Sequence, residues 1–259
     1  MIDKIYNKIH HYGFFPKKTK HKLLASLCGM KLHCPICGNY FRKMKRYGPY
    51  NRRNAQCQNC GSLERYRWLY FWLQFELNNF SKTVSILDIA PNSSLNNLIR
   101  GYSHIDYETA DITDDVVKVD IVGDLTNFPQ KDSRYDYILL LEVLEHIIDD
   151  KKALSECYRL LRPNGKCIIT VPIDVNKSVT EMDASLTSDE RLKKYGQIDH
   201  VRIYGNDFFD FLNSTNFKKV TRLAPNDLLT DAEMQKYSIK NKYNFHDYET
   251  CNDIFICEK

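Results

Sequence analysis

The sequence predicts a doubly wound α/β domain behind a small metal-binding module, and three observations predict it. Between residues 84 and 223, short apolar runs such as Tyr137 to Leu141, which suit strands buried on both faces, alternate with segments of helical periodicity. Three strands in succession finish in an acid, at Asp88, Asp111 and Asp124. Ahead of that pattern stand two CxxC pairs, Cys34 with Cys37 and Cys57 with Cys60, with nineteen residues between them.

The bulk properties fit this division. A chain of 259 residues, 43% hydrophobic and 27% charged, has material for one domain of average size plus a smaller module, and it is too apolar to be largely disordered. The net charge of +4 conceals an asymmetry: residues 1–60 carry thirteen Lys or Arg against one acid, Asp3, which makes +12 and leaves −8 for the remainder. Such a front end suits an anionic partner, whether nucleic acid, a phosphorylated substrate, a membrane surface or the acidic domain behind it. Nine cysteines, an odd number with four in CxxC pairs, predict thiolate chemistry in a reducing, cytoplasmic setting rather than a disulfide framework. No apolar run is long enough to cross a bilayer, and Leu23 to Met30, short and broken by Ser26 and Gly29, makes a poor secretory signal.

Residues 1–32 form a basic N-terminal segment with weak helical signals in Met1 to His11 and Lys20 to Leu27, read as packing onto the domain behind rather than as a membrane anchor. Residues 33–61 read as a four-cysteine zinc ribbon. Two residues between cysteines let a tight turn aim both sulfurs at one point, and Gly38 and Gly61 permit the bend after each pair. Two such knuckles supply the four sulfurs of a closed, structural tetrahedral Zn²⁺ site. Between them runs NYFRKMKRYGPYNRRNA, where Arg42, Lys43, Lys45, Arg46, Arg52 and Arg53 alternate with Tyr40, Phe41, Tyr47 and Tyr50. These residues either grip phosphates and stack bases or form a hairpin whose aromatics stiffen the module. Residues 62–80 come next as a connecting helix, capped by Ser62 and running from Leu63 to Asn78. Its apolar residues lie on two sides, which predicts burial on both, as a rivet between module and sheet domain.

The sheet domain is expected over residues 81–259. Its strands are Val84 to Ile89, a short one near Tyr107, Val116 to Ile121, Tyr137 to Leu141, Lys166 to Val171, Val220 to Leu223, and a closing edge strand at Asp253 to Cys257. Helices are expected at Ser94 to Arg100, after a cap at Asp149 or Asp150 with Ala153, Leu154, Cys157, Tyr158 and Leu161 on one face, and at Gly205 to Asn213. Pro163 and Gly165 end the second of these. The polar stretch from Pro172 to about Gln197 is long enough to be a lid or substrate loop.

The acids at the strand ends carry the chemistry. Open α/β sheets bind ligands at the carboxyl ends of their strands, and carboxylates there accept hydrogen bonds from amines and ribose hydroxyls and favour a cation. Neither GxGxxG nor GxxxxGK occurs, so a phosphate-bearing cofactor has no backbone cradle. A sulfonium cofactor without phosphate, S-adenosylmethionine, suits such a crevice better.

The segments VSILDIAPNSSL, YETADI, GDLTNFPQKDSRYDYILLLEVLEHIIDDKKALSECYRLLRPNGKCIITVP and GQIDHVRIYG resemble class I S-adenosylmethionine-dependent methyltransferases of the type 11 kind. More narrowly, the chain resembles a bacterial group of these with a four-cysteine zinc ribbon and a CGSLER helix ahead of the catalytic domain, over roughly residues 30–223. The resemblance implies a Rossmann-like sheet. It places Asp88 and the backbone of Ala90 and Pro91 beside the methionine end of the cofactor, Asp111 on the ribose, Asp124 with Leu125 at the adenine, and Glu142 under the transferring methyl. One departure stands out: the usual glycine-rich first turn is APNSS.

Methyl transfer from a sulfonium is an in-line displacement that needs alignment above all. His146 and His200 are the candidates for taking a proton from a hydroxyl or amine acceptor, with Asp199 near to orient or charge one of them. Arg202 either binds an anionic substrate group or pairs with the acids. The function expected is methyl transfer to a small or carrier-linked metabolite, or to RNA through the basic front end. The alternative is a zinc-ribbon nucleic-acid-binding protein with an inactive methyltransferase fold; a membrane-surface protein is a more distant one.

Overall fold

A computed structural model describes residues 29–48, 51–77, 83–240, 242–244 and 249–259. The expectations for the segment ahead of residue 29, for Tyr50 and for the boundary at 79–82 lie outside those residues. The chain divides into two compact units: the part ahead of residue 82 with Ser93–Leu98 and Ala224–Asn241, and the remainder.

In the first unit, two short antiparallel pairs carry the cysteine knuckles, β1 (Leu32–His33) with β2 (Tyr40–Phe41) and β3 (Lys45–Tyr47) with β4 (Arg52–Gln56). Cys34, Met44 and Cys57 are their small buried core, so two of the three core residues are candidate metal ligands. Helix α1 (Glu64–Leu77) comes next, and Tyr66, Trp68, Leu69, Trp72 and Leu73 are buried along it, in keeping with its two-sided apolar pattern. Ser62, just ahead of this helix, is fully buried with its hydroxyl 3.3 Å from Cys34 Sγ and 3.2 Å from Cys60 Sγ. Arg67, in the first half of this helix, is 0% exposed. Its guanidinium donates to the carbonyls of Asn54, Ala55 and Ser62 ahead of the helix and of Tyr237 and Ser238 at the end of the helix Asp231–Tyr237, at 2.7 to 3.3 Å.

The second unit holds one seven-stranded sheet, with β5 (Val84–Ile89), β6 (Ile105–Asp111), β7 (Ile121–Val122), β8 (Tyr135–Leu141), β9 (Leu161–Thr170), β10 (Lys219–Leu223) and β11 (Ile254–Glu258) in the order β10-β11-β9-β8-β5-β6-β7. Numbered within the sheet this is 3-2-1-4-5-7-6 read from the other edge, all parallel but for β11, which runs antiparallel to both neighbours. It is a doubly wound, Rossmann-like sheet. Burial on both faces explains the apolar run Tyr137 to Leu141 of β8, and all six residues of β5 are likewise buried, Ser85 and Asp88 included. Between β8 and β9, Asp149 caps helix Asp150–Leu160 by accepting from Lys152 N, and Ala153, Leu154, Cys157 and Leu160 turn inward.

Three expectations are corrected. The third strand of the sheet is only Ile121–Val122, since Val116 is 91% exposed and pairing with β6 begins at Ala110 and Ile121. The last strand is no edge strand: β11 inserts between β9 and β10, and burial of Ile254 to Cys257 is what that interior place requires. Phe208–Asn213 is helical, starting later than Gly205. Gly205 instead lets two chain segments touch, because a Cβ there would stand 2.6 Å from the backbone of Val179. The stretch 173–197 contains a strand, Glu181–Met182, paired with Arg202–Ile203, and a helix, Ser188–Tyr195, closed at both ends by a capping box at Thr187 and by Gly196. Among the described residues no helix is long and apolar enough to cross a membrane.

Candidate functional site

The strand order reverses between β6-β5 and β8-β9, so the crevice expected for a ligand opens at the carboxyl ends of β5 and β8. Both strands end in the same unusual way. Ala90, one residue past β5, has φ +51°, and Glu142, one residue past β8, has φ +60°. Left-handed backbone at a residue other than glycine costs about 1–3 kcal/mol and persists only where its surroundings impose it. Here those surroundings are the sheet itself: Ala90 N donates to Ala110 O at 2.7 Å and Glu142 N to Thr170 O at 2.9 Å. The chain thus keeps, with an alanine, the left-handed turn that a glycine-rich run would make without strain. Ala90 is exposed and Pro91 buried.

The acids are placed at different depths. Asp88 is 1% exposed and lies under the crevice, accepting from Tyr107 Oη at 2.6 Å, and burial pushes its carboxyl up to about 7. Asp111 is half-buried at the end of β6, with Oδ1 accepting from Ile112 N at 2.7 Å. Asp124 is exposed and caps the turn Leu125–Asn127 through Thr126 N and Oγ1, hydrogen bonds that hold its carboxyl below the usual range, while Leu125 is buried. Asp120, which sequence patterning does not single out, ties Thr109 on β6 to Arg100, accepting from Thr109 N, Thr109 Oγ1 and Arg100 Nη2 at 2.8 to 2.9 Å.

Beside Glu142, the loop Leu144–His146 meets the stretch around His200. Val201 N donates to Glu145 O at 3.0 Å, and the rings of His146 and His200 meet edge to face at 4.7 Å. Asp199 Oδ2 lies 3.3 Å from His146 Nδ1, so the orienting acid goes to His146 rather than to His200. His200 is 2% exposed, and neither ring nitrogen has a hydrogen-bond partner. Burial, then the charge of His146, pushes its pKa down to about 4, so the ring is neutral near pH 7. Arg202 is settled as a structural pair: it is buried against Asp150, also donates to the carbonyls of Ile147 and Ile148, and shares Asp150 with Tyr204 Oη.

Residues 75–169, which run through this crevice, match the protein family described as "Methyltransferase domain". Over 50 residues the chain is 36% identical to a "Probable S-adenosylmethionine-dependent methyltransferase" of Mycolicibacterium smegmatis, covering 19% of this chain and 20% of that protein. Over 75 residues it is 33% identical to norajmaline N-methyltransferase of Rauvolfia serpentina, covering 28% of this chain and 25% of that one. The chain therefore spans between a fifth and a quarter of the length of these curated relatives. An S-adenosylmethionine-dependent methyltransferase from Archaeoglobus fulgidus superposes with a TM-score of 0.48 at 14% identity, covering 76% of this chain and 95% of that one.

Ahead of the sheet in sequence, the four cysteines come together as their spacing requires. Cys34 Sγ lies 3.7 Å from Cys60 Sγ and Cys37 Sγ 3.7 Å from Cys57 Sγ, with all four sulfurs within 4.8 Å of one another. Four sulfurs each about 2.3 Å from one ion at tetrahedral angles stand about 3.8 Å apart, so the cluster fits Zn²⁺. Gly38 and Gly61, at φ +72° and +75°, close the two knuckles by donating to Cys34 O and Cys57 O. None of the eight described cysteines is in a disulfide. The aromatics between the knuckles divide. Tyr40 stacks on His33 at 4.3 Å and Phe41 packs on the cysteine core, whereas Tyr47 is 43% exposed. Arg52 is turned inward onto Glu64, while Lys43, Arg46 and Arg53 line a cleft of about 390 Å³.

Proposed function

We propose that the protein is an S-adenosylmethionine-dependent methyltransferase whose cofactor lies at the switch point of the sheet, and that residues 33–61 are a structural zinc ribbon. The observation that carries the first part is the pair of left-handed residues Ala90 and Glu142 at adjacent strand ends, on the edge that the methyltransferase family match spans. When bound, the cofactor supplies a methyl group on a sulfonium. In this reading the backbone of Ala90 and Pro91 lines its methionine end, with Asp88 beneath. Asp111 accepts from the ribose, Asp124 and Leu125 meet the adenine, and Glu142 stands under the methyl. His146 and His200 belong to the acceptor side, where a hydroxyl or amine has to be oriented and relieved of its proton. Exposure and the Asp199 partner favour His146 over the buried His200 for that proton. For the ribbon, Cys34, Cys37, Cys57 and Cys60 are the Zn²⁺ ligands, and the ion's part is to cross-link two knuckles.

A small-molecule acceptor agrees with the name of the norajmaline N-methyltransferase relative, and the exposed Lys43, Arg46 and Arg53 leave RNA or another anion as the alternative. Calorimetric titration with S-adenosylmethionine tests the reading. Saturable binding is expected, with Asp111→Ala weakening it about 10- to 100-fold, the worth of a hydrogen bond to a charged group. No heat and no saturation at millimolar ligand would remove it.

Asp88 adds a pH signature. Its folded-state pKa of about 7 lies above the ordinary 3.8, so the folded protein holds a proton that the unfolded chain releases between those values. Stability from this group is therefore full below pH 4, falls as pH rises towards 7 and then levels, a loss of at most about 4 kcal/mol. Urea denaturation of the wild type and Asp88→Asn at pH 5 and pH 8 should show the difference between them shrinking or reversing at pH 8. A difference independent of pH would mean that Asp88 is ionised in the fold.

A further inference from the structure

Glu145, His146 and His200 present one ligand atom each within 4.8 Å of one another, on the acceptor side of the sheet edge and separate from the four cysteines. Glu145 is 1% exposed and His200 2%, and both ring nitrogens of His200 lack a hydrogen-bond partner. A buried polar atom left so costs about 1–3 kcal/mol, which a native fold seldom bears without a use. Its nearest carboxylate oxygen, Glu145 Oε1, is 3.9 Å from Nε2, beyond hydrogen-bond reach. That spacing suits a cation between them: two donors each about 2.1 Å from one metal stand about 3 to 4 Å apart.

We propose that Glu145, His146 and His200 form a binding site for one divalent transition-metal cation. The surroundings match what such ligands need. Asp199 holds Nδ1 of His146 at 3.3 Å, which leaves Nε2 for the metal and repeats the carboxylate–histidine pairing that orients metal-bound imidazoles. The hydrogen bond from Val201 N to Glu145 O joins the two stretches of chain that carry the ligands. Two imidazoles and one carboxylate select Mn²⁺, Fe²⁺, Co²⁺, Ni²⁺ or Zn²⁺ over the all-oxygen preference of Mg²⁺ and Ca²⁺. Three protein ligands leave positions open, and there the site takes an oxygen or nitrogen of the methyl acceptor, which a bound cation makes more acidic; with the cation in place His146 is a ligand, and the acceptor's proton passes to solvent rather than to its ring. That last assignment rests on the methyl-transfer reading; the cation site does not.

The test is a titration of the zinc-loaded full-length protein with Mn²⁺, monitored by electron paramagnetic resonance of the free ion, because Mn²⁺ competes poorly for thiolates. One equivalent should bind. His146→Ala, His200→Ala and Glu145→Gln should each weaken binding at least about 10-fold, and Asp199→Asn about 10-fold through its hold on His146. His146 is partly exposed, so His146→Ala keeps the test open if His200→Ala fails to fold. The absence of saturable Mn²⁺ binding up to about millimolar, or equal binding by wild type and His146→Ala, overturns the site. S-adenosylmethionine titrated into the same preparation separates the two ideas. Cofactor binding without Mn²⁺ binding overturns the cation site alone, and Mn²⁺ binding without cofactor binding removes only its role towards the acceptor.

Discussion

Removing zinc from the proposed four-cysteine site should unfold residues 33–61 and redden the tryptophan fluorescence of the whole protein. The reason is the size of the core. Cys34, Met44 and Cys57 are its buried residues, with Leu32, Ile36, Phe41, Cys37 and Cys60 packed around them, and four of these eight are the proposed ligands. So little apolar surface offsets only a small part of the backbone entropy of ordering this segment. Zinc bound by four thiolates supplies about 10–16 kcal/mol at neutral pH, which in modules of this kind is folding free energy. The readout is selective because the chain has 2 tryptophans, Trp68 and Trp72, both 0% exposed on the helix after the ribbon. Arg67 of that helix donates to Asn54 and Ala55 of the ribbon, so loss of the ribbon removes ties that hold it. The purified protein should contain one equivalent of zinc, release it to a mercurial with a colorimetric chelator, and recover its fluorescence when zinc is restored. Cys57→Ser should reproduce the metal-free spectrum. Zinc far below one equivalent, with the tryptophans already shielded, would end the ribbon reading.

The sheet is legible in the sequence because burial on both faces favours apolar runs: Tyr137 to Leu141 is unbroken, and Val84 to Ile89 is interrupted only by Ser85 and Asp88. The same rule misplaces the strand at Val116 to Ile121. β propensity is high there, but the ladder is made by partners, and only Ile121 and Val122 meet Ala110 and Asp111. Sheet position is equally silent in one dimension: Ile254–Glu258 lies between two strands far from it in sequence, and its apolar pattern says buried without saying beside what.

At the candidate site the divide is between side-chain spacing and backbone shape. Four cysteines in two CxxC pairs announce a common point, and they converge. The acids at strand ends can be named from sequence, but not that Asp88 is sealed under the crevice or that Asp120 rather than a strand residue locks Thr109. The APNSS turn reads as a lost glycine; the fold recovers its shape by imposing φ +51° on Ala90, a strain that has no signature in composition. His200 can be named as polar and near Asp199. It is buried along with Tyr195, Val201, Ile203 and Tyr204, in a stretch that reads as polar.

Arg67→Met should destabilise the unit that contains the ribbon by about 3–5 kcal/mol, although it replaces a charge with an apolar side chain of similar length inside an apolar helix. Hydrophobic periodicity alone would make this a stabilising change. The geometry reverses the sign. One guanidinium satisfies five carbonyls, of Asn54, Ala55, Ser62, Tyr237 and Ser238, and Met can satisfy none of them. Each hydrogen bond to a charged group is worth about 1.5–3 kcal/mol, and they are not additive, so the expected loss lies well below their sum. Two of the acceptors sit at the end of helix Asp231–Tyr237, where carbonyls lack partners within the helix, so that end should fray with the substitution. Arg67→Lys should restore only part of the loss, because an ammonium is a point donor and cannot span carbonyls on both sides of the helix as a planar fork does. Guanidinium denaturation monitored through Trp68 and Trp72 measures all three proteins on the same probe. A midpoint for Arg67→Met corresponding to a loss under about 1 kcal/mol would show that water satisfies those carbonyls, and that the buried arginine is not what joins the ribbon, the helix and residues 237–238.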